Sequence, residues 1–201
     1  MSLQDTVTKQ YVSDPKVFAD AFNYLIYDGE QIIRPEQLTD LDATQFAIPY
    51  REEQEGKPEA TQKYRDVLKT LAVKTDDQRA YLVLGIENQS NVHYAMPVRN
   101  MLYDAMQYEK QVRQLAAAHR RKHDAATSDE YLSGMNREDK ITPVITLVIN
   151  FGSKRWDGPL SLYEMMPEQP AKVKAFVQDY KVFLIDPMAM TDADLEHLNS
   201  S

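Results

Sequence analysis

The chain has 201 residues, of which 43% are hydrophobic, and its formal net charge is −8. This length and composition are sufficient for one sizeable core, so we expect a single domain over residues 1–201, with its core at about 14–186. The absence of cysteine excludes disulfides, thiolate zinc sites and cysteine nucleophiles. Because the sequence has no signal-like start and no apolar stretch of about 18 residues, we expect a cytoplasmic protein with no membrane partner.

The acidic charge argues against a protein that simply coats nucleic acid, since neutralising phosphates requires clustered Lys and Arg. The basic residues are unevenly distributed, however. Between Arg99 and His123 there are six Lys or Arg against two acids. This segment is therefore the best candidate for contact with phosphates.

A first helix is predicted to begin at Asp14, a good N-cap residue, with Pro15 in the first helical position. Apolar side chains then recur at three- and four-residue spacing, namely Phe18, Phe22, Leu25 and Ile26. Gly29 is a typical residue for the end of a helix.

Strands are predicted in the next third of the chain. A connector with a short strand near residues 46–49 precedes a polar stretch at 51–62, which contains Gly and Pro and predicts an exposed hairpin loop. Residues 64–74 and 80–87 predict two strands, joined by a turn at 75–78. The second is a continuous apolar run, typical of a strand covered on both faces.

The longest helix is predicted at 97–123, where apolar residues keep to one face over many turns. Residues 124–139 are polar and predict a loop or a short frayed helix. A second buried strand is predicted at 142–151, a helix or loop at 171–180 and a last strand at 182–185. Helices alternating with buried strands predict an α/β fold, with a central mixed sheet flanked by helices.

Polar residues end the buried strand at 80–87 abruptly. Glu87 and Gln89 project from one face of this strand because side chains alternate, and the Asn88 carbonyl lies at the same rim. Asp66 lies on the preceding strand, and hairpin pairing can bring it beside Glu87. Such oxygen ligands suit Mg²⁺ or Mn²⁺, which lower the pKa of a bound water and stabilise phosphoryl charge. The alternative is that Asp66 and Glu87 are strand-end charges that meet solvent or an arginine.

The sequence resembles the recombination-promoting nuclease and putative transposase family of bacteria, a branch of the PD-(D/E)XK nuclease superfamily. The resemblance is carried by Arg65-Asp66-Val67-Leu68, Gly85-Ile86-Glu87-Asn88-Gln89-Ser90, Met96-Pro97-Val98-Arg99 with Tyr103, Pro143-Val144-Ile145, Phe151-Gly152 and Trp156. It covers roughly residues 14 to 186 and implies a restriction-endonuclease-like core.

The resemblance also implies roles for individual residues. Asp66 and Glu87 match the metal-binding acids of the family. Gln89 stands where most superfamily members have a lysine that orients the attacking water, and a glutamine can only hydrogen-bond. Arg99, Lys110 and Arg113 are the candidate phosphate contacts, with a salt bridge from Arg99 to Glu87 or Asp66 as the alternative.

Several other residues have two interpretations. Asp20 is either an additional acid of the site or, as we favour, a solvent-facing helical residue. Tyr103 and Tyr108 either stack on bases or, as we favour, pack in the core. His119 and His123 have the spacing of zinc ligands, but without neighbouring acids a solvated basic face is the expected arrangement.

These observations predict a Mg²⁺- or Mn²⁺-dependent DNA endonuclease linked to recombination or mobile elements. Asp66 and Glu87, with the Asn88 carbonyl, would hold the metal, and Gln89 would position the water. The alternative is a catalytically weak or inactive protein of the same fold that binds nucleic acid or protein. DNA is the expected partner, and a homodimer is left open.

Overall fold

The structure of the chain is a computed structural model that describes residues 3–41, 67–75, 78–192 and 194. The strand predicted near 46–49, the loop predicted at 51–62 and Asp66 lie outside the described residues. In parts of the two strands at 67–75 and 78–89 the structure describes the backbone pairing and not the side chains.

Two helices open the chain. Helix α1 spans Leu3–Ser13 and was not predicted, because its apolar face is weak. Helix α2 spans Pro15–Tyr27, with Asp14 Oδ1 accepting a hydrogen bond from the Lys16 N–H at 2.7 Å. It ends at Asp28 in the left-handed conformation, followed by Gly29, also at positive φ. The predicted start, proline position and end of this helix are confirmed.

The described residues form one mixed sheet of five strands in the order β1-β2-β3-β4-β5. They span Leu38–Asp40, Val67–Thr75, Gln78–Gln89, Val144–Asn150 and Phe183–Ile185. The first three strands are antiparallel neighbours, whereas β3, β4 and β5 are parallel. The predicted mixed sheet is confirmed, and the three parallel strands bring their carboxyl ends to one edge.

Helices cover the two faces of the sheet. On one face, Phe18 and Phe22 of α2 pack with Leu84, Leu147 and other buried strand residues in the main core. On the other face lies α3, which spans Met96–Lys122 and matches the predicted long helix. Parallel strands are normally covered on both faces in this way, which explains why β3 and β4 are so apolar.

Helix α3 runs antiparallel to β4. The Tyr108 hydroxyl accepts a hydrogen bond from the Val144 N–H at 3.1 Å, at the start of β4. Near the end of β4, Val148 packs in one cluster with Met96, in the first turn of α3. The amino end of the longest helix therefore lies at the carboxyl edge of the parallel strands.

Two short helices lie outside the sheet. Helix α4 spans Ser128–Ser133 and α5 spans Ala171–Lys174. The predicted short helix within 124–139 is well capped rather than frayed, because Thr127 and Glu130 form a capping box. Among the described residues, no helix is long and apolar enough to cross a membrane.

Candidate functional site

The carboxyl end of β3 holds three of the predicted site residues. In the parallel register, Glu87 pairs with Val148, Asn88 with Ile149 and Gln89 with Asn150. Gln89 is buried, and its carbonyl accepts a hydrogen bond from the Phe151 N–H at 2.8 Å. Because Val148 packs against α3, register position 87 belongs to the sheet face that α3 covers.

Asp66 immediately precedes the described part of β2. The antiparallel register of β2 with β3 ends at the pair Val67 and Ile86, so position 66 lies outside the described residues. The predicted meeting of Asp66 with Glu87 stays a prediction.

Beyond β3, the carboxyl ends of the other two parallel strands also hold buried polar side chains. Asn150 ends β4, and Asp186 follows β5. Asn150 Nδ2 donates to Asp186 Oδ1 at 3.1 Å and to the Lys154 carbonyl at 2.8 Å. Asp186 also accepts from the Trp156 N–H at 2.8 Å. This network joins the ends of β4 and β5 and fixes the loop that follows β4.

The loops that leave β3 and β4 pack closely. A Cβ at Gly152 would lie 2.8 Å from the Ser90 carbonyl oxygen. A Cβ at Gly158 would lie 2.9 Å from Cγ1 of Val92. Real Cβ atoms do not approach backbone oxygens this closely, so Gly152 is required for the contact between the two loops. Together the loops form one wall of the strand-end site.

The first turns of α3 form the opposite wall. No side-chain hydrogen bond caps this helix at Ala95. Arg99 is half-buried, and its guanidinium carbon lies 5.6 Å from the ring centroid of Tyr103. The helix dipole and the adjacent guanidinium both favour an anion at this edge of the sheet. The N–H groups of Met96 and Arg99 donate to the carbonyls of His93 and Ala95, so the attraction is one of charge.

The face of α3 that meets the sheet is polar, which is unusual for a buried interface. Asn100, Asp104 and Gln107 are all buried there. Asp104 accepts hydrogen bonds from the hydroxyls of Thr146 and Tyr180, each at 2.5 Å. Position 146 pairs with Gly85, two residues before Glu87 on the same face. Sequence reasoning missed this polar layer.

Asn100 is the most unusual member of the polar layer. Its side chain is fully buried, and within the described part of the chain neither amide atom has a hydrogen-bond partner. It lies one helical turn after Met96 and one turn before Asp104, which contact Val148 and Thr146 respectively. Asn100 therefore faces the part of the sheet that includes register position 87.

The three predicted phosphate contacts share one flank of α3. At about 100° per residue, Arg99, Lys110 and Arg113 fall within ~60° of each other around the helix. They are spread along about 21 Å of its length. Arg113 is exposed and forms an ion pair with Glu109 at 2.6 Å, so a phosphate would compete with this carboxylate. Lys110 is half-buried.

The prediction of a solvated basic face is wrong for His119. Its Nδ1 lies 2.7 Å from Asp124 Oδ1 and its Nε2 lies 2.8 Å from Asp139 Oδ2. These hydrogen bonds raise the pKa of His119, Asp124 contributing most. The acids were missed because the chain reverses at His123, which adopts a left-handed conformation.

The remaining alternatives concern Tyr103, Tyr108 and Asp20. Tyr103 is buried, as the core interpretation predicted. Tyr108 is half-buried and hydrogen-bonded to the start of β4. Asp20 is half-buried, and Oδ1 accepts from Gln31 Nε2 at 3.2 Å. Burial raises the pKa of Asp20, partly offset by this hydrogen bond.

Lys69 is a buried cation that sequence reasoning missed. Its ammonium forms an ion pair with Asp40 of β1 and lies 5.5 Å from the ring centroid of Phe18. In the register Lys69 pairs with Leu84, which faces the α2 side of the sheet. Lys69 therefore lies on the face of the sheet opposite to register position 87. It cannot take the place of the lysine that most superfamily members have at the position of Gln89.

The described side chains include no group of three or more His, Asp or Glu residues arranged to hold a metal ion. Asp66 and the side chain of Glu87 are not among the described side chains. Gln89, Asn150 and Asp186 place amide and carboxylate oxygens at the same edge, which are the ligand type of a hard cation. The oxygens of Asn150 and Asp186 accept hydrogen bonds from the N–H groups of Gly152, Trp156 and Met188.

The sequence was compared with known proteins. No curated protein and no solved structure matches the chain. The profile of the family described as "Putative transposase, YhgA-like" matches residues 58–200, more than half of the chain, including the strand end with Glu87 and the whole of α3. The chain therefore belongs to the YhgA-like putative transposase family.

Proposed function

We propose that the chain is a metal-dependent DNA endonuclease of the PD-(D/E)XK type that acts in recombination or on mobile elements. The observation that carries the proposal is the position of Glu87 and Gln89. They end a central strand whose parallel neighbour β4 also ends in a buried polar residue, Asn150, and the first turn of α3 packs against β4 at Val148. Membership of a putative transposase family supports the link with mobile elements and with DNA.

Asp66, Glu87 and the Asn88 carbonyl would hold Mg²⁺ or Mn²⁺. When bound, such a cation lowers the pKa of a water and neutralises charge on the phosphoryl oxygens. The polar layer of α3 supports this assignment. The amide of Asn100 has no hydrogen-bond partner among the described residues, and its carbonyl oxygen can accept from a water at the site.

Gln89 would position the attacking water. The amide oxygen can accept a hydrogen bond from the water, and the amide NH₂ group can donate one to a phosphate oxygen, but the amide cannot supply the positive charge of a lysine. Arg99, at the start of α3, would supply that charge next to the scissile phosphate. Lys110 and Arg113 continue along the same flank and would bind phosphates farther along the strand.

One observation favours a second candidate, a nuclease-fold protein that binds DNA without cutting it. Gln89 is buried and uncharged where the superfamily has a cation. A site without this charge stabilises the pentavalent phosphate less. The two candidates differ in metal-dependent cleavage and not in DNA binding.

A plasmid-nicking assay tests the proposal. The wild-type protein should nick supercoiled DNA with Mg²⁺ and not with EDTA, and Glu87→Gln and Asp66→Asn should each abolish nicking. Both substitutions keep the side-chain volume and remove only the charge that holds the cation, so the melting temperature should be unchanged or higher.

Glu109→Gln is the matched control, because it removes an acid of α3 that pairs with Arg113. This variant should nick at least as well as the wild type, because it releases Arg113 to a phosphate. If the acids instead form a structural pair with Arg99, neutralising either one should destabilise the fold by roughly 3 to 5 kcal/mol. A wild-type protein that binds DNA but never nicks it would refute the nuclease and leave the binding module.

A further inference from the structure

A second concave site lies at the far end of α3, where α4 packs against it. The cavity has a volume of about 390 Å³ and is lined by Ala116, His119, Arg120, His123, Glu130 and Tyr131 among others. We call it the α3–α4 pocket. Its volume falls within the range of small-molecule sites, roughly 300 to 1,000 Å³.

The walls of the α3–α4 pocket are held firmly. A Cβ at Gly134 would lie 2.5 Å from Cβ of Ala116, so the end of α4 touches α3 directly. Gly134 has a φ of +72°, which other residues rarely adopt. His119 is held between Asp124 and Asp139, which ties the chain after α3 back onto the helix. The pocket is therefore preformed.

The charges of the pocket leave a cation available to a ligand. Both ring nitrogens of His119 are engaged by Asp124 and Asp139, so His119 is not available to a ligand. Glu130 accepts hydrogen bonds from the N–H groups of Ala126, Thr127 and Arg137 at 2.8, 3.1 and 3.0 Å. Arg120 is exposed and forms no ion pair with any of the described acids. An anionic group would therefore bind at Arg120, with His123 beside it, rather than near Glu130.

The pocket also offers an aromatic surface. Tyr131 is 69% exposed although it lines the cavity. An exposed aromatic ring beside an arginine is the arrangement that single-stranded nucleic acids use, because a base stacks on the ring while the cation binds the backbone.

The position of Arg120 connects the pocket with the strand-end site. At about 100° per residue, Arg120 falls within ~60° of Arg99 around the helix, on the flank that also carries Lys110 and Arg113. It lies about 32 Å from Arg99 along the axis. This length corresponds to roughly nine nucleotides at ~3.4 Å each, the rise per nucleotide of one strand along a duplex axis. One strand bound at the start of α3 can therefore extend along this flank to the pocket.

We propose that the α3–α4 pocket binds one nucleotide of a DNA strand, with its unpaired base stacked on Tyr131 and its phosphate on Arg120 and His123. The identity of the strand as DNA rests on the proposed function, whereas the pocket itself does not involve Asp66 or Glu87. The pocket would hold an unpaired end or a flipped nucleotide at a fixed distance from the strand-end site.

Fluorescence anisotropy in EDTA, which prevents cleavage, tests the proposal with a labelled 20-nucleotide single strand. Tyr131→Ser and Arg120→Gln should each weaken binding, Tyr131→Ser by roughly tenfold. Tyr131→Phe, which keeps the ring, should bind as the wild type does. Arg120→Gln should also reduce the slope of log K against log salt by about 0.7, as expected for one lost phosphate contact with a single strand.

The chain offers matched controls for both residues. Arg137 and Leu132 are exposed residues that neither line the cavity nor lie on the flank of α3 that carries Arg99, so Arg137→Gln and Leu132→Ser should leave binding within about twofold of the wild type. An equal loss of affinity in the control variants would show that the effect is not specific to the residues of the pocket, and it would overturn the proposal.

Two competitors identify the occupant. A fully paired duplex should bind without any dependence on Tyr131, whereas free dAMP should compete only weakly with the strand. If dAMP competes as well as the strand, the pocket is a mononucleotide site and the proposal is wrong. Nicking and anisotropy are separate measurements, so a protein that fails to nick but shows the Tyr131 dependence refutes the nuclease and retains the pocket.

Discussion

Asn100 and Asn23 are two fully buried asparagines with opposite surroundings. Asn23 Nδ2 donates to the Ile33 carbonyl at 2.9 Å, and Asn23 Oδ1 accepts from the Ile33 N–H at 2.7 Å. The amide of Asn100 has no such partner among the described residues. A buried amide without hydrogen bonds destabilises the folded state, so the two residues should respond differently to the same substitution.

We predict that Asn100→Leu raises the melting temperature, because leucine has nearly the same shape and no polar group to desolvate. Asn23→Leu, the matched control, should lower the free energy of unfolding by roughly 1 to 3 kcal/mol, since it leaves both backbone groups of Ile33 unpaired. Thermal melts of both variants check this. A clear loss of stability in Asn100→Leu would show that its amide has a partner in the folded protein.

At the residue scale, sequence patterns predicted part of the candidate site. Glu87 and Gln89 were recognisable because an apolar run ends in polar residues, and a strand end is where such residues avoid desolvation. Lys69, Asn100 and Asp186 were not recognisable. Their burial depends on partners distant in sequence, such as Phe18 beside Lys69 and Trp156 beside Asp186.

At the element scale, His119 ties α3 to the chain on either side of α4, through Asp124 before that helix and Asp139 after it. Because both ring nitrogens contact carboxylates, both must donate, and this requires the imidazolium form. The pKa of Asp139 is lowered, chiefly because its carboxylate accepts a hydrogen bond from the Asn136 N–H. The positive charge of Lys122 also contributes to lowering the pKa of Asp139.

These shifts predict a pH dependence of stability with two limbs. Folding raises the pKa of His119. The stabilisation that His119 gives the folded state is therefore complete below about pH 6.5 and is lost as the pH rises through the pKa of His119 in the folded protein. Folding lowers the pKa of Asp139. The stabilisation that Asp139 gives the folded state is therefore complete above about pH 3.9 and is lost as the pH falls through the pKa of Asp139 in the folded protein.

Thermal melts from pH 4 to 9 should therefore show a loss of stability on the alkaline side that disappears in His119→Gln. The control is His123→Gln, which changes a neighbouring exposed histidine. If His119→Gln keeps the same alkaline loss as the wild type, the imidazolium does not hold the chain around α4 onto α3.

Sequence signals predicted the elements unevenly. The Thr127 to Glu130 spacing is that of a capping box, so a well-formed α4 could have been predicted from it. Helix α1 and the three-residue strand β1 have no comparable signal, because both are formed by contacts with the rest of the fold. The proline at position 97 and the polar stretch after Lys122 did predict α3 closely.

At the scale of the whole molecule, the sheet combines an antiparallel half with a parallel half. The parallel half was partly predictable, since β3 and β4 have the continuous apolar sequences of strands covered on both faces. The order of the strands in the sheet was not predictable from the sequence, because local periodicity carries no information about which strands become neighbours.

This arrangement predicts an uneven resistance to local opening. Strand β4 lies between two parallel neighbours, and Leu147 and Val148 on its opposite faces are fully buried. Strand β1 has three residues, lies at an edge and is exposed at Thr39 and Asp40. Amides in the interior of a sheet exchange only when much of the fold opens, whereas edge amides exchange through local fraying.

Native-state hydrogen exchange should therefore give the slowest exchange for the amides of Val144–Asn150. Their exchange rate should depend on urea as steeply as global unfolding does, because the same surface must be exposed. The amides of Leu38–Asp40 should exchange fastest within the sheet and depend little on urea. Equal protection of β1 and β4 would mean that the sheet opens as one unit and that its antiparallel half is as stable as the strands that end in the candidate site.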